Sequence, residues 1–283
     1  MLHPLPSSPG PIGVFDSGYG GLTILQQIRR TLPQYDYLYL GDNARTPYGN
    51  RSFEIVYEFT RQAVARLFDM GCHLVILACN TASAKALRSI QMNDLPVWDS
   101  ARRVLGVIRP TVEAIGQLTR TRHIGILATS GTIDSESYPM ELNKLYPDIH
   151  VSGQACPLWV PLVENKEADN DGADYFVRKY IDLLLDKDPE IDTVILGCTH
   201  YPLLLPKIRA YMPAHIRIVS QGEYVAESLR DYLRRHPEMD ARLTRQGTCQ
   251  FLTTESERKF SDSASIFLGG EIHVRHLSLE ETR

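Results

Sequence analysis

Short apolar runs alternate along this chain with longer stretches in which apolar residues recur at helical spacing. Leu74-Val75-Ile76-Leu77-Ala78 is almost continuous in apolar character, the pattern of a strand buried on both faces. Residues 51–70 instead carry apolar side chains at 53, 56, 59, 63, 64, 67 and 68, which follow one face of a helix. Read this way, strands are expected over 12–15, 37–40, 74–78, 124–128, 150–155, 193–196, 216–220 and 251–254. Helices are expected over 22–30, 51–70, from about 82, up to about 118, and over 133–145, 175–185, 203–211, 224–235 and 257–267. The segment 96–110 reads as a crossing between domains. Strands alternating with helices mark an α/β protein with mostly parallel sheets.

Part of this pattern occurs twice. Leu74-Val75-Ile76-Leu77-Ala78-Cys79-Asn80-Thr81 is echoed by Thr193-Val194-Ile195-Leu196-Gly197-Cys198-Thr199-His200. Ile12-Gly13-Val14-Phe15-Asp16-Ser17-Gly18 is echoed by Ile124-Gly125-Ile126-Leu127-Ala128-Thr129-Ser130-Gly131 at nearly the same offset. Two matched pairs indicate an internal duplication. The expected architecture is two pseudo-symmetric domains, each a mostly parallel sheet flanked by helices. The first is discontinuous, 1–100 plus 214–283, with 1–11 as a disordered leader; the second is 101–213. The last strand-helix pair, 251–267, is assigned to the first domain, so the chain crosses near 98–104 and again near 211–216.

Bulk properties narrow the function. The 283 residues are 43% hydrophobic and 23% charged, ordinary for a folded protein of one or two domains. A net charge of −4 without a basic run argues against nucleic acid as a partner. The first eleven residues have neither a cationic start nor an apolar core, so neither a secretory signal nor a membrane span is expected. Five cysteines, an odd number in a chain too large to need staples, suggest free thiols and a cytoplasmic setting.

In open parallel sheets a ligand sits beyond the carboxyl ends of the strands, against helix N-termini. Asp16, Ser17, Asp42, Cys79, Asn80, Thr81, Thr129, Cys198, Thr199 and His200 all fall there. A helix N-terminus favours an anion and lowers the pKa of a cysteine seated on it. Two thiols facing one carbon, one as thiolate and one as thiol, can remove a proton from one side and return another on the opposite side. Simpler readings stand beside this one. A cysteine closing an apolar strand is ordinarily a small core residue, although packing does not require the same polar tail after both. Zinc binding is disfavoured because these cysteines lack ligand spacing. Cys72, Cys156 and Cys249 read as core thiols. Asp16 can be a helix cap, Asp42 with Asn43 turn chemistry, and Glu164 an ordinary surface residue. There is neither a dinucleotide fingerprint nor a P-loop.

Five segments carry a resemblance. Phe15-Asp16-Ser17-Gly18 with Gly20-Gly21, Gly41-Asp42 with Pro47-Tyr48-Gly49, Ala78-Cys79-Asn80-Thr81-Ala82-Ser83, Pro161-Leu162-Val163-Glu164 and Gly197-Cys198-Thr199-His200-Tyr201-Pro202 occur in this order. Through them the chain, from Ile12 to about Gly270, resembles the cofactor-independent glutamate racemases of bacteria. The resemblance implies interconversion of L- and D-glutamate for peptidoglycan synthesis, without a cofactor or a metal, at the interface of two domains. It implies that Cys79 acts on D-glutamate with help from Asp16, and Cys198 on L-glutamate with help from His200 and Glu164. Asp16, Ser17, Tyr48, Gly49, Asn80, Thr81, Thr199 and His200 would hold the substrate. A homodimer is implied too, in more than one arrangement.

The sequence departs from that family at three places. Asn43 stands where Thr or Ser is usual, 98–103 looks extended, and Pro110-Thr111 replaces a common Pro-Gly. The leader is shorter than the precursor-sensing extension of some relatives. Three rivals are a racemase of aspartate, a decarboxylase, which would keep only one of the two cysteines, and a silent protein that merely binds an acidic amino acid.

Overall fold

The apolar runs become the inner strands of two parallel sheets. The computed structural model describes residues 8–268 and 272–279. The strands, in chain order, are β1 (Ile12–Asp16), β2 (Tyr37–Gly41), β3 (Leu74–Leu77), β4 (Arg103–Gly106), β5 (His123–Ala128), β6 (His150–Ala155), β7 (Thr193–Gly197), β8 (Arg217–Val219), β9 (Cys249–Thr253) and β10 (Val274–His276). Among the described residues they form a six-stranded sheet, β10-β9-β2-β1-β3-β4, and a four-stranded sheet, β6-β5-β7-β8. Each neighbouring pair in these sheets is parallel. β1, β2, β3 and β7 are buried at every residue. That explains why they carry continuous apolar runs instead of alternation.

Helices fill the crossovers: α1 (Gly21–Thr31), α2 (Phe53–Asp69), α3 (Asn80–Lys85), α4 (Ile108–Ile115), α5 (Ser130–Asp134), α6 (Ser137–Leu145), α7 (Trp159–Glu164), α8 (Asp171–Lys187), α9 (Leu205–Tyr211), α10 (Gly222–Arg235) and α11 (Glu257–Leu268). Short helical turns at 87–98, 201–204 and 237–240 complete them. Their starts follow from side-chain capping. Ser52 accepts from the Ile55 N–H at the head of α2, and Asn170 accepts from Ala173 at the head of α8. Among the described residues no helix is long and apolar enough to cross a membrane.

The structure corrects several expectations. β4 pairs with β3 in the first sheet, so that sheet extends past the expected boundary at residue 100. β8 pairs with β7 in the second sheet, although 214–283 was expected to belong wholly to the first domain. Both are outer strands at the end of their sheet or domain, and neither carries the continuous apolar run of an inner strand. The expected leader, 1–11, is already tied down at Gly10, whose N–H bonds to the Arg242 carbonyl and whose carbonyl accepts from Thr244. Residues 1–7 of it lie outside the described residues. The helix expected over 133–145 is two helices, broken where Glu136 takes a left-handed conformation at φ 56°. α7 and β10 were not anticipated. In the segment 251–267, β9 pairs with β2 of the first sheet, and α11 packs on α1.

The extended segment at 98–103 is part of the first domain's packing. Trp98 meets the buried Phe68 ring edge-on at 6.0 Å, and the Arg102 guanidinium lies 4.7 Å from the same ring. Phe68→Ala removes the surface on which both rest. We expect it to cost about 3–5 kcal/mol, read in urea unfolding through Trp98 fluorescence. A cost under about 1 kcal/mol would show that this segment is held by something else.

Candidate active site

Cys79 and Cys198 each stand just beyond the equivalent strand of their sheets, β3 and β7, where the chain turns to pack against helices. Both are buried, and both line one cavity. Ser17, Tyr48, Gly49, Asn80, Thr81, Thr199 and His200 line it as well. Asp16 and Glu164 sit behind this wall: Thr199 Oγ1 lies 3.5 Å from Asp16 Oδ1, and His200 Nε2 lies 3.0 Å from Glu164 Oε1. All the residues singled out from the sequence are thus brought to one place. The free space is small, about 40 Å³. Among the described residues neither Lys nor Arg lines it. Its apolar side comes from Pro47, Pro157, Val160 and Pro161.

The two thiols have different partners. Cys79 Sγ lies 3.3 Å from Ser17 Oγ and caps α3 by accepting from the Ala82 N–H. The helix N-terminus was expected to favour its thiolate. Burial and the neighbouring Asp16 carboxylate outweigh those hydrogen bonds, and its pKa is pushed up to about 12. Asp16 is itself raised: burial dominates, opposed by the His200 charge and by the N–H groups of Gly18 and Gly21. Cys198 Sγ lies 3.9 Å from His200 Nδ1. Burial pulls the His200 pKa down, but its contacts with Cys198 and Glu164 more than reverse this, to about 10. The imidazole is thereby favoured as a cation, held between Cys198 and the Glu164 carboxylate.

Close backbone approach lets the halves meet here. A Cβ at Gly20 would stand 2.3 Å from Thr199 Oγ1 and 2.5 Å from His200 Nδ1. A Cβ at Gly49 would stand 2.9 Å from Thr129 Cβ, and the Gly49 carbonyl accepts from the Gly131 N–H at 2.7 Å. Thr23 Oγ1 donates to the Thr199 carbonyl across the same junction.

Three placements qualify the expected roles. The Tyr48 hydroxyl donates to Asp42, so its segment offers the cavity chiefly its backbone. Asn80 spends its amide on a buried ring: Nδ2 donates to Gln221 Oε1 at 2.6 Å, Gln221 Nε2 donates to the Tyr138 hydroxyl at 2.6 Å, and that hydroxyl donates to Asn80 Oδ1 at 2.7 Å. Gln221 also donates to Thr111 Oγ1, so the threonine that replaces a common glycine has a partner. Thr81 Oγ1 lies 3.0 Å from Thr129 Oγ1 and 3.4 Å from Thr132 Oγ1. Sequence reasoning missed Gln221 and Tyr138 altogether. Thr129 was placed at a strand end but not singled out, although it follows β5 as Asp16 closes β1. Asn43 is buried and accepts from Thr253 Oγ1.

A family model described as Asp/Glu/Hydantoin racemase matches residues 12–229. The chain belongs to this racemase family. A glutamate racemase of Dinoroseobacter shibae is 41% identical over 274 residues, covering 93% of this chain and 97% of that protein. The solved glutamate racemase isoform of Bacillus anthracis superposes with a TM-score of 0.87 at 36% identity, covering 95% of this chain and 98% of its own. The Francisella tularensis glutamate racemase, solved in complex with D-glutamate, gives 0.85 at 31%, covering 96% and 98%. The two-domain α/β architecture of this chain is thus that of solved racemases of its family.

The raised His200 pKa has a definite sign for stability. The folded value, about 10, lies above the ordinary 6.5, so this contribution is fully present below pH 6.5 and is lost as pH rises through 10. We expect the urea midpoint to fall between pH 7 and 9 and the fall to flatten in His200→Asn. In Glu164→Gln the His200 resonance should titrate at lower pH by NMR. An unchanged titration would mean that Glu164 does not hold the charge.

Proposed function

We propose that the chain is a glutamate racemase that inverts the α-carbon by a two-base transfer between Cys79 and Cys198. The observation that carries this reading is the lining of one cavity by two buried cysteines from equivalent strand ends. The likeness to glutamate racemases over nearly the whole chain points to the substrate.

D-Glutamate presents its α-hydrogen to Cys79. As the substrate's ammonium group enters, Asp16, whose affinity for protons is raised by burial, takes the Cys79 proton and leaves a thiolate. The thiolate removes the α-proton, and the Cys198 thiol gives its own proton to the opposite face. The His200 imidazolium then stabilises the Cys198 thiolate, and Glu164 balances that charge. From L-glutamate the same steps run backwards: the Cys198 thiolate, paired with the His200 imidazolium, removes the α-proton, the Cys79 thiol gives its proton to the opposite face, and Asp16 returns its proton to Cys79. Ser17, Thr81, Thr199 and the backbone of Tyr48 and Gly49 hold the amino and carboxylate groups, and Asn80 is positioned by its ring. The chemistry of this scheme calls on neither a cofactor nor a metal. The enzyme acts in the cytoplasm, where its D-glutamate serves peptidoglycan synthesis, and works as a homodimer. Exposed Phe53, Met92, Val97 and Met140 supply apolar surface that fits such an assembly.

In D₂O, purified protein with L-glutamate and without added pyridoxal phosphate should lose optical rotation to zero while deuterium enters the α-position. Aspartate tested in parallel should exchange far more slowly. Cys79→Ser and Cys198→Ser should each lower racemisation by about 10²–10⁴-fold. His200→Asn should slow exchange into L-glutamate more than into D-glutamate. Racemisation at the normal rate by either serine variant would overturn the two-thiol scheme, and a preference for aspartate would overturn the substrate.

A further inference from the structure

The end of the second sheet opposite the thiols carries a cluster that the proton transfer does not use. His123 opens β5 and His150 opens β6; they are register partners, with ring centroids 5.1 Å apart. Asp188, the residue after α8, comes in beside them and is buried. His123 Nδ1 lies 2.9 Å from Asp188 Oδ2, and His150 Nε2 lies 3.7 Å from the same oxygen. One ligand atom from each residue lies within 4.8 Å of the other two.

We propose that His123, His150 and Asp188 form a site for one divalent transition-metal ion of the zinc class. Two imidazoles and one carboxylate, with a position left for water, are a donor set suited to zinc and poorly suited to magnesium or calcium. Bonds of about 2.0–2.1 Å in a tetrahedron put ligand atoms roughly 3.3 Å apart. The spacings of 2.9 and 3.7 Å bracket that value. At 3.7 Å the His150 contact is too long for a hydrogen bond, whereas a shared ion spans it.

The surroundings match those of ligating side chains. A metal-bound histidine typically donates its other ring nitrogen to a carboxylate or carbonyl, which fixes its orientation. His123 Nε2 faces such a carboxylate, with Glu190 Oε2 at 3.0 Å. Asp188 is fixed as well: Oδ1 accepts from the Glu190 N–H at 3.1 Å, and Ser152 Oγ lies 3.4 Å from Oδ2. The ion would join the starts of two strands to the connection between α8 and β7. β5 separates it from the catalytic end by roughly 17 Å at about 3.3 Å per residue. Its role is therefore to brace the second domain.

The test is zinc titration of untagged protein by calorimetry, with cobalt(II) as a spectroscopic probe. The expected result is one saturable site, visible cobalt d–d bands without a thiolate charge-transfer band, and a thermal midpoint raised by zinc. Because the catalytic thiols are the competing ligands, Cys198→Ser should bind as the native chain does. His150→Ala and His150→Gln, at an exposed position, should weaken binding at least about tenfold and abolish the thermal shift. Lack of saturable binding, full affinity in the His150 variants, or loss of binding in Cys198→Ser would each overturn the site.

Discussion

Withdrawal from water governs the cleft between the two sheets. Asp16, Cys79, Cys198 and His200 are all buried, and Glu164 closes the group from behind. An isolated charge there would be costly, so each group either stays neutral or carries its charge beside an opposite one. Cys79 takes the first course, its pKa raised by burial and by the Asp16 carboxylate, while burial raises Asp16 against the pull of the His200 charge. His200 takes the second, as a cation against Glu164. The resting site therefore holds the Cys79 proton tightly and favours a cation on the Cys198 side. In the proposed reaction, a substrate bringing an ammonium and carboxylates would supply the charges that release this arrangement.

The same burial constrains how the halves meet. The Asn80–Gln221–Tyr138 ring has matched donors and acceptors, and Gln221 stands just after β8, close to the chain's return to the first domain. Breaking one member would leave buried polar groups without partners, at roughly 1–3 kcal/mol each. The ring therefore favours one closed geometry and places Asn80 beside Cys79. With about 40 Å³ free, the cleft has room for only a few waters. Contacts such as Thr81–Thr129 and Gly49–Gly131 close it from the two halves.

How much of this was legible depended on how local each signal was. Inner strands were plain, because burial on two faces writes a continuous apolar run into β1, β3 and β7. The edge strand β4, whose one buried residue is Val104, carries no such run and was read as a crossing segment. α7 has only six residues with Pro161 inside, too short for periodicity to register. The break at Glu136 had no glycine to announce it. At the site, both cysteines were found because a duplicated strand carried each to its end. Gln221 was missed because its meaning lies in partners far along the chain, at Asn80 and Tyr138, and one polar residue makes no pattern.

The duplication itself explains why the pair of thiols is both symmetric and asymmetric. The strand order β4-β3-β1-β2 in one sheet corresponds to β8-β7-β5-β6 in the other, so Cys79 and Cys198 hold equivalent positions. What stands behind them has diverged: Asp16 and Ser17 on one side, His200 and Glu164 on the other. For a racemase this divergence has a thermodynamic limit. Enantiomers have equal free energy in water, so kcat/KM must be the same in both directions whatever surrounds each thiol. Different partners can therefore make kcat differ between the enantiomers only if KM differs in the same proportion, through how tightly each enantiomer is held and which proton transfer is slower. Equal placement of the thiols answers the symmetry of the reaction, while their unequal partners tune how the protein meets each enantiomer.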